Sequence, residues 1–291
     1  MTDPITRTLD VPGATLTYDV RGDLTDRDQP VLLMIGSPMA ASGFPTLASH
    51  FTDRTVVTYD PRGTERSVRT GELTEVSPDD HAADLAALIE ALDAGPVDLF
   101  ASSGGAVNSL ALIAKRPDLI HTLVAHEPPL AAIVPDSEAA LAVVADMYAT
   151  YQRDGMGAGM AKFIAFVSYE GEVPADYTQQ PAPDPAMFGL PTEDDGSRDD
   201  ALLGQNLRKC TSYQPDFDAL TKARDSIVIG VGEESGNQLA ARGGKATAAR
   251  LDLEPVVFPS NHGGFLGNEY GQPGKPEEFA TKLREVLTTR A

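Results

Sequence analysis

Tryptophan is absent from this 291-residue chain and cysteine occurs once, at Cys210. A lone cysteine permits no intrachain disulfide and no cysteine-based zinc cluster. Without Trp, the aromatic wall of any pocket must come from Phe or Tyr. No apolar run is long enough to cross a bilayer, and residues 1–7 lack the basic start and apolar block of a secretory leader. These absences lead to the expectation of a cytoplasmic protein with no membrane partner. Basic residues are also scarce, 23 Lys and Arg against 43 Asp and Glu, giving a net charge of −20. Such a surface repels phosphate, which argues against a nucleic-acid partner and reads as solvating charge.

What is present is enough for a full core. The hydrophobic fraction is 42%, and the length suits one large α/β domain. Strands are predicted at Ile5–Asp10, Ala14–Val20, Val31–Ile35 and Thr55–Tyr59, with turn chemistry between them. Strands then alternate with helices, the rhythm of a mostly parallel sheet covered on both faces. The helix Pro78–Leu92 has Ser77 as N-cap, Pro78 at its first position, acidic residues in its first turns, and Leu85, Leu88, Ile89 and Leu92 at helical spacing. Strand His121–His126 follows a helix at Ala106–Lys115. Residues 128–222 break the rhythm: helices at Glu138–Tyr151 and Ala158–Tyr169, a loop at Glu172–Asp200 and a helix restart at Ala201–Leu207. A block this long is too large for a connection and reads as a helical insertion, dividing the chain into a core of 1–127 and 223–291 and a lid of 128–222. Strand Ile227–Val231, helix Gln238–Leu251, strand Pro255–Phe258 and helix Pro276–Thr288 complete the pattern.

The chemistry concentrates at Val97-Asp98-Leu99-Phe100-Ala101-Ser102-Ser103-Gly104-Gly105-Ala106, a strand that runs into a turn of small residues and leaves as a helix. Such an elbow holds a serine hydroxyl over the end of a sheet, where a base can activate it. Small residues are needed two before and two after the nucleophile. Ser103 has Ala101 and Gly105 there, whereas Ser102 would have Phe100, so Ser103 is the candidate. Its candidate base is His262, in the glycine-containing loop 259–265 after the last strand. The Gly104 N–H, directly after the nucleophile at a helix N-terminus, supplies one oxyanion donor.

Elbow, late His-Gly loop and element order together resemble the α/β-hydrolase fold superfamily over essentially the whole length. The resemblance implies an eight-stranded, mostly parallel sheet with helices on both faces, and a lid inserted between strands six and seven. Most members carry the triad acid after strand seven. Here that strand ends Gly230-Val231-Gly232-Glu233-Glu234-Ser235, with Ser235 where an aspartate often falls. Strand six ends His126-Glu127-Pro128-Pro129, which is similar to the zearalenone-type lactone hydrolases, whose acid is that glutamate. Glu127 is therefore the expected acid, with Glu233 or Glu234 as the alternative. The resemblance places the second oxyanion donor at the Ser37 N–H, with Met39 as the other choice; Pro38 has no N–H. Arg62, in the turn Asp60-Pro61-Arg62-Gly63, reads as a structural residue.

The other histidines are weighed by position. His50, His81 and His121 read as surface or packing residues. His126, beside Glu127, is a candidate to line the pocket or support the acid, without a second ligand at metal spacing. Met39 is a further pocket candidate, as are Met147, Met156, Met160, Phe163, Phe166 and Tyr169, all of which also fit plain lid packing.

The expected function is a serine hydrolase, with no cofactor and no metal, cleaving a small-molecule ester or lactone through an acyl-enzyme. The same triad also serves thioester, amide or carbon–carbon bond hydrolysis and perhydrolysis. A ligand-binding protein that keeps the fold with little turnover is the alternative of another class.

Overall fold

The computed structural model describes residues 3–26, 28–71, 75–271 and 273–289. Eight strands lie side by side in one sheet: β1 (Ile5–Val11), β2 (Ala14–Arg21), β4 (Val56–Asp60), β3 (Leu32–Ile35), β6 (Val97–Ser102), β7 (Ile120–His126), β8 (Ile227–Gly232) and β9 (Val256–Phe258). A two-residue strand, β5 (Val68–Arg69), pairs with β2 off this path. The ladders from β4 through β9 are parallel, and β2 is antiparallel to both β1 and β4. This is the expected mostly parallel sheet, with the short extra pair as the only addition among the described residues.

The buried strands show why their sequences are nearly unbroken in apolar character. Side chains alternate between faces. Leu33, Ile35, Leu99, Ala101, Leu123, Ala125 and Ile229 join the core under α2 (Pro78–Leu92), α3 (Gly104–Lys115) and α8 (Leu239–Arg250). Leu32, Met34, Phe100, Val124 and Val228 join the opposite core, under α1 (Pro45–Ser49) and α9 (Pro276–Thr289). Both faces of these central strands are covered, whereas β1 is largely exposed and mixes polar with apolar residues.

Helix α2 has the bounds its sequence predicts. The Ser77 hydroxyl accepts from the Asp80 N–H, the Asp80 carboxylate accepts from the Ser77 N–H, and Asp93 ends the helix in a left-handed conformation. The capping box satisfies two otherwise orphaned donors. Helix α3 begins at Gly104, two residues earlier than expected from the run of small residues. Those glycines are the first turn of the helix itself, because the whole change of direction is made at Ser103.

A helical insertion separates β7 from β8: α4 (Ser137–Asp154), α5 (Met156–Val167), α6 (Leu207–Thr211) and α7 (Phe217–Lys222). Its own core contains Val143, Met147, Tyr151, Phe166 and Leu203. The Pro- and Asp-rich stretch before residue 200 forms only two short 3-10 turns, Tyr177–Gln179 and Pro185–Phe188. The helix restart at Ala201 differs from the expectation. Ala201–Asn206 is a π-helical turn, with the Asp200 carboxylate capping the N–H groups of Leu202 and Leu203, and the α-helix starts only at Leu207. No helix among the described residues is long and apolar enough to cross a membrane.

Candidate active site

Parallel strands bring their carboxyl ends to one edge, where ligand sites form in such sheets. The register pairs Ser102 with His126, His126 with Gly230, and Gly232 with Phe258. The residues that follow these strand ends, Ser103, Glu127 and the loop carrying His262, are therefore neighbours in space.

Ser103 sits at φ 58°, in the left-handed region that a non-glycine residue adopts at a cost. Its N–H donates to the His126 carbonyl at 3.0 Å, which pins the turn to β7. The turn after β3 presses against this elbow. A Cβ on Gly104 would collide with the Ser37 carbonyl, and one on Gly105 would come within 2.9 Å of the Ile35 carbonyl oxygen. The small residue two beyond the serine is thus required by the neighbouring turn. Ser37 and Gly104 both line the cavity above Ser103. Among the described residues, neither backbone N–H is used by a protein acceptor.

Glu127 follows β7 at φ 50°, and its N–H donates to the Gly230 carbonyl. Its carboxylate is fully buried. Oε2 lies 2.6 Å from His262 Nδ1, and Oε1 accepts from the Gly232 N–H at 2.8 Å. Burial pushes this carboxyl up, but the hydrogen bond from His262 and the Gly232 N–H outweigh it and hold the group at about 2. The His262 side chain keeps 39% of its surface exposed, facing the cavity that Ser103 also lines. The Ser103 hydroxyl is not hydrogen-bonded to His262 in this structure; bonds of this kind often tighten only with substrate bound.

Of the alternative carboxylates, one is engaged elsewhere and the other is open to solvent. Glu234 lies at the cavity rim, 2.6 Å from Lys275 Nζ and 3.3 Å from Ser260 Oγ, and Glu233 is exposed. Neither is hydrogen-bonded to His262. Ser235, at the position where an aspartate would be common, is fully buried against Gly232.

Two of the pocket candidates sit apart from the cavity wall. Met39 folds back onto Gly36 and Gly43 instead of lining the cavity, filling space those glycines leave open. His126 lies beneath the site, fully buried and outside the cavity wall. Its ring packs edge-on against Phe279 at 5.3 Å and Phe258 at 5.7 Å, and stacks at 6.0 Å on His262. Nδ1 is 3.1 Å from Ser102 Oγ, and burial pushes the imidazole down to about 4, so it is neutral. The serine rejected as nucleophile thus has a partner that the sequence did not suggest. Of the lid candidates, Phe163 and Phe166 line the cavity, while Met147, Met156, Met160 and Tyr169 lie outside its wall. The first three pack in the lid core, and the Tyr169 ring meets Tyr177 edge-on at 5.2 Å.

Arg62 donates to both carboxylate oxygens of Asp84 on α2, the structural use expected of it. His81 is buried on Asn206, and His121 pairs with Asp98. No group of three or more His, Cys, Asp and Glu side chains suited to a metal occurs among the described residues.

Residues 29–182 match the α/β hydrolase fold family, more than half the chain, and the protein belongs to that family. An uncharacterized hydrolase, YraK of Bacillus subtilis, is 27% identical over 286 residues, covering 96% of this chain and 95% of that one. Among solved structures, a thermophilic esterase from Thermogutta terrifontis superposes with a TM-score of 0.66 at 18% identity over 99% of each chain. E-2-(acetamidomethylene)succinate hydrolase superposes with a TM-score of 0.60 at 22% identity, over 98% of this chain and 99% of that one. At such identities these structures speak for the fold. The class that family and fold define is the α/β hydrolase, and the fold alone does not fix which bond is cleaved.

Proposed function

We propose that this protein hydrolyses carboxylic esters or lactones through an acyl-enzyme on Ser103, with His262 as base, Glu127 as its orienting acid, and the Ser37 and Gly104 N–H groups as the oxyanion hole. The observation that carries this reading is the 2.6 Å contact between Glu127 Oε2 and His262 Nδ1, on an imidazole that faces the same cavity as Ser103.

The chemistry follows from the geometry. A carboxylate on Nδ1 holds the imidazole in the tautomer that leaves Nε2 free to take the serine proton, and stabilises the imidazolium that results. Attack on the carbonyl places negative charge on oxygen, beside the Ser37 and Gly104 N–H groups, which donate to no acceptor among the described residues. Return of the proton to the leaving alcohol gives the acyl-enzyme. His262 then activates water to release the acid. Lactones are included because an acid directly after β7 is the feature shared with the zearalenone-type lactone hydrolases.

The test is covalent labelling with a fluorophosphonate probe followed by peptide mapping. Modification of Ser103 in folded wild type, lost in Ser103→Ala together with turnover of activated esters, is expected. Absence of labelling at Ser103 would overturn the reading.

A further inference from the structure

The cavity over Ser103 measures about 750 Å³, within the range of roughly 300–1,000 Å³ usual for small-molecule sites. Its lid side is apolar, with Phe163, Phe166 and Val167 from α5 together with Leu202 and Leu207. The buried polar groups of that wall are already engaged. Asn206 Oδ1 meets His81 Nε2 at 2.6 Å, the Asn206 amide donates to the Ala201 carbonyl, and the Thr211 hydroxyl donates to the Leu207 carbonyl. No Lys or Arg is among the described residues that line the cavity. The rim carboxylate, Glu234, is tied to Lys275. The basic side chain in the wall is His262, which the buried Glu127 carboxylate already engages.

We infer that the site accepts neutral esters and lactones with an apolar acyl part and refuses those whose acyl part carries a carboxylate, an inference that rests on the ester-hydrolase reading above. A substrate carboxylate entering this cavity would leave water for a wall with no cation to meet it. It would do so close to the ionised Glu127 and inside a protein of net charge −20. The same physics acts on the product. Hydrolysis adds water across the acyl–oxygen bond and yields an alcohol and a carboxylic acid that ionises. The acid is then an anion on a wall suited to its neutral precursor, so it binds weakly and leaves.

The experiment compares two p-nitrophenyl esters of one chain length, the mono-p-nitrophenyl ester of suberic acid and its methyl-capped neutral counterpart, with fluorophosphonate labelling of Ser103 run in parallel. A kcat/KM about 100-fold higher for the neutral ester is expected, equivalent to two decades of differential transition-state binding. Octanoate should inhibit at least about tenfold more weakly than octanamide, which differs by having no charge. Gln238→Arg, which places a cation in the wall, should raise kcat/KM for the anionic ester and narrow the ratio. Equal kcat/KM for the two esters, with Ser103 labelled, would overturn the inference and leave the hydrolase reading standing. No turnover of either ester, with Ser103 unlabelled, removes the hydrolase reading and this inference with it.

Discussion

Glu127 and His262, 135 positions apart in sequence, meet at 2.6 Å, and the carboxylate that makes this contact is fully buried while the imidazole is partly open to the cavity. Glu127 is held from two directions: its second oxygen accepts from the Gly232 N–H and its own N–H donates to the Gly230 carbonyl. An acid fixed from two directions can orient a base that sits on a glycine-containing loop.

Glu127→Gln should lower kcat on an activated ester by about 10²–10⁴-fold, because an amide can present the wrong group to Nδ1 and stabilise the wrong tautomer. Glu233→Gln and Glu234→Gln should each lose less than about tenfold, since a surface carboxylate away from the base contributes little. Steady-state kinetics on the three variants decides the matter. A larger loss in either of the latter two would move the acid to the end of β8.

Gly105→Ala should destabilise the fold by about 1–3 kcal/mol, the usual cost of forcing an extra methyl into a packed site. The new Cβ would lie 2.9 Å from the Ile35 carbonyl oxygen and 3.0 Å from Gly36 Cα, both backbone atoms that cannot swing aside. Urea denaturation measures the loss. Gly104→Ala, which drives a methyl into the Ser37 carbonyl, should reduce kcat as well, because that turn also carries the Ser37 N–H.

The strands, their alternation with helices and the mostly parallel sheet were legible because buried parallel strands leave short apolar runs, and because Ser77, Pro78 and the glycine turns punctuate the helices. Ser103 as candidate nucleophile was read from local sterics, and Glu127 as candidate acid from the resemblance of the segment His126-Glu127 to the zearalenone-type lactone hydrolases. What escaped detection depends on contacts between distant segments. Ser102 on His126, the Gly232 N–H on Glu127 and the phenylalanine cage around His126 have no local signature. The packing of Met39 is hidden for the same reason, since nothing near it in sequence shows that it lies against Gly36 and Gly43. The π-helical turn at Ala201–Asn206 has the composition of an ordinary helix, and the side-chain amide of Asn206 that donates to the Ala201 carbonyl leaves no mark in that composition.

Stability should fall as pH drops from about 6.5 toward 4. His126 is neutral in the folded protein down to about 4, whereas in the unfolded chain it takes up a proton near 6.5. The unfolded state therefore binds more protons in this window, and stability decreases on acidification by up to about 3 kcal/mol from this group. His81, also buried and pushed down by burial, acts with the same sign. Glu127 does not cancel the effect: its carboxyl is lower in the folded state than in the unfolded, so its contribution is intact above about 4.5 and is lost only as pH falls toward about 2. Urea denaturation at pH 7 and pH 5 should show the difference, and His126→Phe, which keeps the ring volume, should reduce the slope. An unchanged slope in that variant would show that His126 is not the group that titrates.

Arg242→Ala should destabilise the protein by about 3–5 kcal/mol, the cost of leaving one member of a buried ion pair alone. Arg242 on α8 holds both oxygens of Asp136, at the start of α4, and the pair is only 11% and 6% exposed. Asp136 also accepts from the Val173 N–H at 2.7 Å, so one carboxylate ties the first lid helix, the chain after α5 and the core helix α8 together. Losing the guanidinium should therefore loosen the lid before the sheet. Limited proteolysis should cut the stretch 172–200 faster in Arg242→Ala than in wild type, at a urea concentration where both sheets remain folded. Equal cutting rates would mean that the lid is held by its apolar core alone.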